Sequence, residues 1–131
     1  MTLVNVRDWL QSLDLADRYY IGKLDQKYEK SLGVYAGDHG KHSIAIGGQS
    51  NTKTRKKPIS LLLHWSKNKD ESEKAAQKLF ETIITHAPDA KIGDYTADCI
   101  LIGTNGPVDV DSDQFGVYEY VVNFDIFYQE V

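Results

Sequence analysis

The sequence has very little of what secreted, membrane-spanning or redox proteins require. Cysteine occurs once, at Cys99, so no internal disulfide can form, and a thiol in a strand pattern is expected to be buried rather than nucleophilic. No apolar run approaches the ~18 residues that cross a bilayer. The first residues lack the basic and apolar stretches of a secretory signal. We therefore expect a protein that begins near Met1, has no membrane segment and folds in a cytoplasm.

Residue types that build catalytic and metal sites are few or badly spaced. The histidines form no H-E-x-x-H pair and have no cysteine partners for zinc, and no serine sits in a G-x-S-x-G turn. Asp109, Asp111 and Asp113 imitate the start of a calcium loop. Gln114, however, replaces the required glycine, and Tyr120 stands where the bidentate glutamate belongs. The sequence therefore predicts no catalytic residue, no cofactor and no metal site.

The length and composition are those of one globular domain, which we expect to cover residues 1–131. Hydrophobic residues make up 41% and charged residues 26%, which is ordinary for such a domain. The net charge of -4 hides a division along the chain. Residues 1–88 contain fourteen Lys and Arg against ten Asp and Glu, whereas residues 89–131 contain one against nine. The first part is therefore basic and the second strongly acidic.

Two segments have apolar side chains at the three- and four-residue steps of amphipathic helices. The first runs from Leu3 to Leu13, and Thr2 is placed to accept hydrogen bonds from the free amides of its first turn. The second runs from about Glu71 to His86. Asp70 and Glu73 form a capping-box pattern at its start. Both helices are predicted to turn one apolar stripe toward a core.

The remaining apolar segments have the composition of strands. Tyr19 to Leu24 and Leu32 to Tyr35 are predicted to form a hairpin around a charged turn. The other predicted strands are, in order, His42 to Ile46, Ile59 to Trp65, Ala97 to Ile102, Val108 to Val110 and Tyr118 to Tyr128. Strict alternation makes Ile59 to Trp65 the candidate for the sheet centre. On its second face, His64 is expected to be packed or hydrogen-bonded rather than catalytic.

These elements predict an α+β fold, with a mixed, mostly antiparallel sheet and the two helices packed against it. The expected core comes from both helices and the two longest strands: Leu10, Leu61, Leu63, Leu79, Phe80, Ile83, Val122 and Phe124. The segment Gly48 to Lys57 has no apolar residue and is predicted to be a mobile loop. Four cations on it could contact phosphates without reading sequence, although a solvated loop is the favoured interpretation.

Six short segments follow one another in a fixed order over nearly the whole chain. They are Tyr20-Ile21-Gly22-Lys23, Ser31-Leu32-Gly33-Val34-Tyr35, Ile44-Ala45-Ile46-Gly47-Gly48, Ile59 to Trp65, Pro107-Val108-Asp109 and Gly116-Val117-Tyr118-Glu119-Tyr120. Their order and spacing resemble those of the phage tail terminator proteins, also called phage minor capsid proteins, of long non-contractile-tailed phages and prophages of Gram-positive bacteria.

The resemblance implies a small α+β protein that forms a ring, a hexamer, on the head-proximal end of the tail tube in the virion. There it would stop polymerisation of the tail tube protein and present a joining surface to the head-completion protein. It would act by binding and steric capping, without turnover. Another head-tail joining or neck protein is the first alternative, and a small enzyme of unknown substrate is the second. Non-specific contact with DNA in the channel is left open.

A ring requires two different patches of the same protein to meet. The charge division supplies candidates of opposite sign for this contact. They are the acids Asp109, Asp111 and Asp113 and the cations Lys53, Arg55, Lys56 and Lys57. Exposed pairs contribute only about 0 to 1 kcal/mol each, so we expect charge to set orientation and salt sensitivity while apolar contacts provide the affinity.

Overall fold

The computed structural model describes residues 1–37, 54–102 and 106–129. Within them the elements are, in order, α1 (Leu3–Ser12), β1 (Arg18–Ile21), β2 (Ser31–Ala36), β3 (Thr54–His64), α2 (Lys69–His86), β4 (Lys91–Ile92), β5 (Tyr95–Ile102), β6 (Val108–Ser112) and β7 (Tyr118–Gln129). The predicted strand His42 to Ile46 lies outside the described residues. Cys99 lies on β5, but its predicted burial falls outside the described side chains.

All the strands join one sheet in the order β1-β2-β3-β7-β5-β4, and β6 also pairs with β7. The pair β1 and β2 is parallel and the others are antiparallel. The pairing of β3 with β7 is continuous from Thr54 opposite Gln129 to His64 opposite Glu119. The mixed, mostly antiparallel sheet of an α+β fold is thereby confirmed, and so is the central position of β3.

One face of the sheet carries the core and both helices. Ile59, Leu61 and Leu63 alternate along β3 and are at most 1% exposed, because every second side chain of a strand points to the same face. Burial of such a side chain stabilises the fold by about 1.5 to 3 kcal/mol. Of the predicted core, Leu10, Leu61, Leu63, Leu79, Ile83, Val122 and Phe124 are buried, and Phe80 packs against them half-buried.

Helix α1 begins as the sequence predicted. The Thr2 hydroxyl accepts a hydrogen bond from the Asn5 amide at 3.4 Å, and the Asn5 side-chain oxygen accepts one from the Thr2 amide at 2.9 Å. Each residue thus satisfies a backbone donor that the first turn leaves without an intrahelical partner. Val6, Trp9 and Leu10 turn into the core.

Helix α2 begins two residues earlier than predicted, and the predicted capping box of Asp70 and Glu73 is wrong. Asn68 is the N-cap, because its side-chain oxygen accepts a hydrogen bond from the Glu71 amide at 3.0 Å. An acceptor at this position closes the first turn before Asp70 is reached. In the ranges that the structure describes, no helix is both long and apolar enough to span a membrane.

The predicted hairpin of the first two strands is also wrong. β1 and β2 run parallel, with Arg18 opposite Ser31 and Ile21 opposite Val34. Residues 22–30 bring the chain back to the level of Arg18, and Leu24, 5% exposed, anchors this crossover in the protein. Parallel strands usually need a longer connection, so the polar composition of this segment was mistaken for a tight turn.

The prediction of a mobile loop from Gly48 to Lys57 is wrong for its last four residues. Residues 54–57 belong to β3, where Arg55, Lys56 and Lys57 lie opposite Tyr128, Phe127 and Ile126. These positions have no apolar side chain and still form a strand, because β7 supplies their backbone hydrogen-bond partners. Pro58 therefore lies inside the strand rather than at its start, and residues 48–53 lie outside the described residues.

Candidate functional site

A buried cluster of one histidine and two carboxylates lies where β3 ends beside β7. His64 is 0% exposed, and its Nδ1 lies 3.1 Å from Glu119 Oε2 and 3.6 Å from Asp113 Oδ2. Glu119 is the cross-strand partner of His64 in the sheet register. Asp113 reaches the cluster from the turn between β6 and β7, where its Oδ1 accepts hydrogen bonds from the Phe115 and Val117 amides. The prediction of a hydrogen-bonded His64 is confirmed.

This cluster links the end of β3, the start of β7 and the turn between β6 and β7, and its imidazole is closed to solvent. In the described part of the chain, the buried atoms His64 Nε2, Trp65 Nε1 and Asp113 Oδ2 have no hydrogen-bond partner. Because the His64 ring is 0% exposed, a substrate cannot reach it without rearrangement of the turn. The arrangement holds the β6–β7 turn against the sheet.

A groove follows one side of α2, and we call it the α2 groove. Its first part is a cavity of about 190 Å³ between the start of α2 and β6, and a second cavity of about 200 Å³ continues from it. Both cavities are lined by Gln77 and Pro107. The first part is also lined by Lys69, Glu73, Asp109 and Tyr120. The second part is also lined by Phe80 and Glu81.

The groups with displaced pKa values in the described residues all line this groove. A hydrogen bond between their side chains raises the pKa of Lys69 and lowers the pKa of Asp109. The Asp111 amide, which donates to Asp109 Oδ1 at 2.8 Å, lowers the pKa of Asp109 further. Burial is the main cause that raises the pKa of Tyr120, followed by the negative charge of Asp109. Residues with displaced pKa values occur more often at functional sites than elsewhere in proteins.

The three acids predicted for the ring interface differ in their exposure and in their ion pairs. Asp109 forms an ion pair with Lys69 of the same chain, and the Asp113 side chain is only 4% exposed and faces His64. Asp111 is exposed, and its backbone φ of 69° lies in the left-handed region. Of the three acids, Asp111 alone is both exposed and outside an ion pair in the described part of the chain.

The predicted basic group lies at the opposite end of β7 from these acids. Lys56 is opposite Phe127, whereas Asp109 is opposite Tyr120. Strand geometry places these two levels about 23 Å apart, at ~3.3 Å per residue. The structure therefore keeps these acids and cations apart within one chain. Lys53 lies outside the described residues.

Among residues 1–37, 54–102 and 106–129, no group of three or more His, Cys, Asp or Glu side chains has the arrangement of a metal site. In comparisons with known proteins, no protein-family model matches the chain and no curated protein matches it.

Sequence reasoning missed both the His64 cluster and the α2 groove. Their partners are distant along the chain: His64 and Glu119 are separated by 55 positions, and Lys69 and Asp109 by 40. The sequence signal for the His64 cluster was the alternating pattern of the two long strands, β3 and β7. Had their register been fixed, His64 would have been placed opposite Glu119. The turn that brings Asp113 to them has no comparable signal.

Proposed function

We propose that this protein caps the head-proximal end of a phage tail tube as a ring of identical subunits, within the virion. The ring stops the tail tube protein from polymerising and offers its other side to the head-completion protein. It acts by binding and exclusion, with no chemical turnover. The observation that carries the proposal is the ordered set of six segments in the sequence, which resembles the phage tail terminator proteins.

The places of these segments in the fold support the proposal. They lie at the end of β1, on β2, on the apolar half of β3, at the start of β6 and at the start of β7, while residues 44–48 are outside the described residues. All the described segments therefore belong to one hydrogen-bonded sheet.

The second face of the sheet offers a surface for contacts between subunits. Both helices pack on the opposite face with the core, and in the described part of the chain no helix covers this one. Leu62 and Val121 lie on it half-buried, next to the exposed Val108 and Val110 of β6. A partly apolar patch of this kind provides affinity in an interface, while charged groups around it fix the orientation.

The charge distribution supports a head-to-tail contact. A closed ring uses two different patches of each subunit, and the acids of β6 and the cations of β3 lie at opposite ends of β7. The contact between one chain's Asp111 and the next chain's basic end is therefore compatible with ring geometry. Each exposed pair adds only about 0 to 1 kcal/mol, so this term sets orientation.

The decisive experiment mixes the purified protein with tail tubes assembled from the tube protein of the same phage or prophage. We expect electron microscopy to show a ring on one end of each tube and a shorter, narrower length distribution than in tubes grown alone. A protein that leaves tube ends bare and instead binds the head connector would be the alternative neck protein. Tubes of unchanged length with bare ends would remove the tail-terminator proposal.

The electrostatic part of the proposal is tested with two matched variants. In the first, the four cations Lys53, Arg55, Lys56 and Lys57 are replaced by Ser. In the second, four exposed lysines elsewhere, Lys23, Lys27, Lys74 and Lys78, are replaced by Ser, so that the net charge changes equally. We expect ring formation and its salt dependence to weaken in the first variant alone. Equal behaviour of the two variants would show that the basic end of β3 has no part in the contact.

A further inference from the structure

The α2 groove has an excess of negative charge. Glu73 and Glu81 line the helix side, and Asp109 lines the other. The single lysine among the lining residues is Lys69, which is already engaged within the chain: it pairs with Asp109 and lies 4.9 Å from the centre of the Tyr118 ring. Neither glutamate forms an ion pair with any residue in the described ranges. Their two negative charges therefore dominate the groove.

A buried tyrosine adds a polar group to this site. Tyr120 lines the groove although it is only 4% exposed. Its charged neighbours, Asp109, Lys69 and Glu73, are all groove residues. The hydroxyl makes no hydrogen bond with the residues that the structure describes, and it is not among the solvent-inaccessible polar atoms. The hydroxyl is therefore open to the groove, where an acceptor of a bound partner can reach it.

The shape of the groove fits an extended peptide. From Lys69 to Glu81 the helix wall is about 18 Å long, at ~1.5 Å per residue. An extended chain rises ~3.3 Å per residue, so about five residues would fill it. Glu73 and Glu81 are about 12 Å apart along the helix axis, which is close to the spacing of two side chains four residues apart in an extended peptide. Half-buried Phe80 provides an apolar wall between them.

We propose that the α2 groove binds an extended cationic segment of a partner protein, with basic side chains four residues apart that pair with Glu73 and Glu81, and with a peptide carbonyl that accepts from the Tyr120 hydroxyl. Arginine suits these positions because its guanidinium pairs with a carboxylate through two parallel hydrogen bonds. The Gln77 side chain, which lines both parts of the groove, can hydrogen-bond the peptide backbone. This inference does not rest on tail-tube capping.

The test is a titration of the ¹⁵N-labelled protein with capped five-residue peptides, followed by NMR. The probe has arginine at its first and last positions and serine between, and a second peptide of equal charge has its two arginines adjacent. We expect the first peptide to shift the resonances of Glu73, Gln77 and Tyr120, and to bind at least about threefold more tightly than the second. A peptide with glutamate in place of both arginines is expected to cause no shift.

Matched substitutions locate the binding. Glu73→Gln combined with Glu81→Gln is expected to weaken the probe peptide by about tenfold or more, because each charge-assisted hydrogen bond is about twice as strong as a neutral one. Glu71→Gln removes one carboxylate charge, half of what the double substitution removes, from an exposed position on the same helix outside the groove, and is expected to leave binding unchanged. Tyr120→Phe removes only the hydroxyl and is expected to weaken binding about threefold.

Several results would overturn this inference. These are an absence of shifts at the groove residues, equal binding of the arginine and glutamate peptides, or equal weakening by Glu71→Gln and the double substitution. Shifts of the same residues with protein concentration alone would assign the groove to a second copy of this chain and would also overturn it. Tube capping can succeed in each of these cases, so failure here is distinguishable from failure of the proposed function.

Discussion

His64 and Glu119 face each other at one end of the two central strands, with Nδ1 and Oε2 3.1 Å apart. They are register partners on β3 and β7, and Asp113 Oδ2, on the turn that precedes β7, lies 3.6 Å from His64 Nδ1. Because His64 is 0% exposed, its Nδ1 atom can find a partner only in such neighbours. The pair therefore ties the end of the two longest strands to the turn that precedes β7.

Replacement of His64 by Leu is expected to destabilise the protein by about 2 to 4 kcal/mol, because it leaves two carboxylates facing each other without the imidazole. Glu119→Gln keeps the shape and an acceptor, so a smaller loss of about 1 kcal/mol is expected. The free energy of unfolding is measured with urea. In the double variant His64→Leu with Glu119→Leu, the loss should be smaller than the sum of the two corresponding single losses. Simple additivity would show that the contact does not stabilise the fold.

The start of α2 distinguishes the observed cap from the capping box that the sequence suggested. Asn68→Ala is expected to cost about 1 kcal/mol, because it removes the acceptor for the Glu71 amide. Asp70→Ala should change stability by less than about 0.5 kcal/mol, because Asp70 is exposed and only pairs with Lys74 on the helix surface. Thermal and urea unfolding of both variants measure the difference. A larger loss of stability for Asp70→Ala than for Asn68→Ala would show that Asp70 is the N-cap.

The Lys69–Asp109 pair gives a pH dependence with a defined sign. The hydrogen bond to Lys69 lowers the pKa of Asp109 in the folded protein, so its stabilising contribution is present above the unfolded-state pKa and is lost as the pH falls through the folded-state pKa. The pKa of Lys69 is raised by the same bond, so its contribution is lost as the pH rises through the folded-state pKa of Lys69. The pair therefore stabilises the fold through the neutral range and ceases to do so in acid and in strong base.

This sign is checked by NMR titration of the Asp109 carboxylate. In the Lys69→Met variant the pKa of Asp109 is expected to rise toward the ordinary value of about 3.9. Lys74→Met removes a lysine that pairs with Asp70 instead, and should leave the Asp109 titration where it was. If the two variants titrate alike, Lys69 is not the cause of the lowered pKa.

Gly22 and Gly93 both have a positive φ, and substitutions at them distinguish the cost of backbone strain from that of steric overlap. Gly22 has a φ of 76° and open space around an added Cβ, so Gly22→Ala is expected to cost about 1 kcal/mol from strain alone. Gly93 has a φ of 64°, and an added Cβ would lie 2.7 Å from the Asn5 side chain that caps α1. Gly93→Ala should therefore cost about 1 kcal/mol more, through damage to that cap. Urea unfolding would contradict this reason if the two losses were equal.

Much of the secondary structure followed from patterns within short stretches of sequence. The alternation from Ile59 to Trp65 and from Tyr118 to Tyr128 predicted the two central strands, and the helical spacing predicted the burial of Leu10 and Leu79. These predictions were correct because a helical or strand period is set by the backbone of the segment itself. The capping of α1 by Thr2 was correct for the same reason, since cap and amide are three residues apart.

The sequence by itself therefore determined the fold class, the main elements and the apolar face of the sheet, because each depends on neighbours along the chain. Only the tertiary structure decided that β1 and β2 are parallel, that β3 extends back to Thr54, that Asp113 turns inward to His64, and that Lys69 meets Asp109 beside the α2 groove. Each of these depends on which distant backbone or charge becomes the partner. That choice is made by strand register and by the burial of the whole core, which no local pattern specifies.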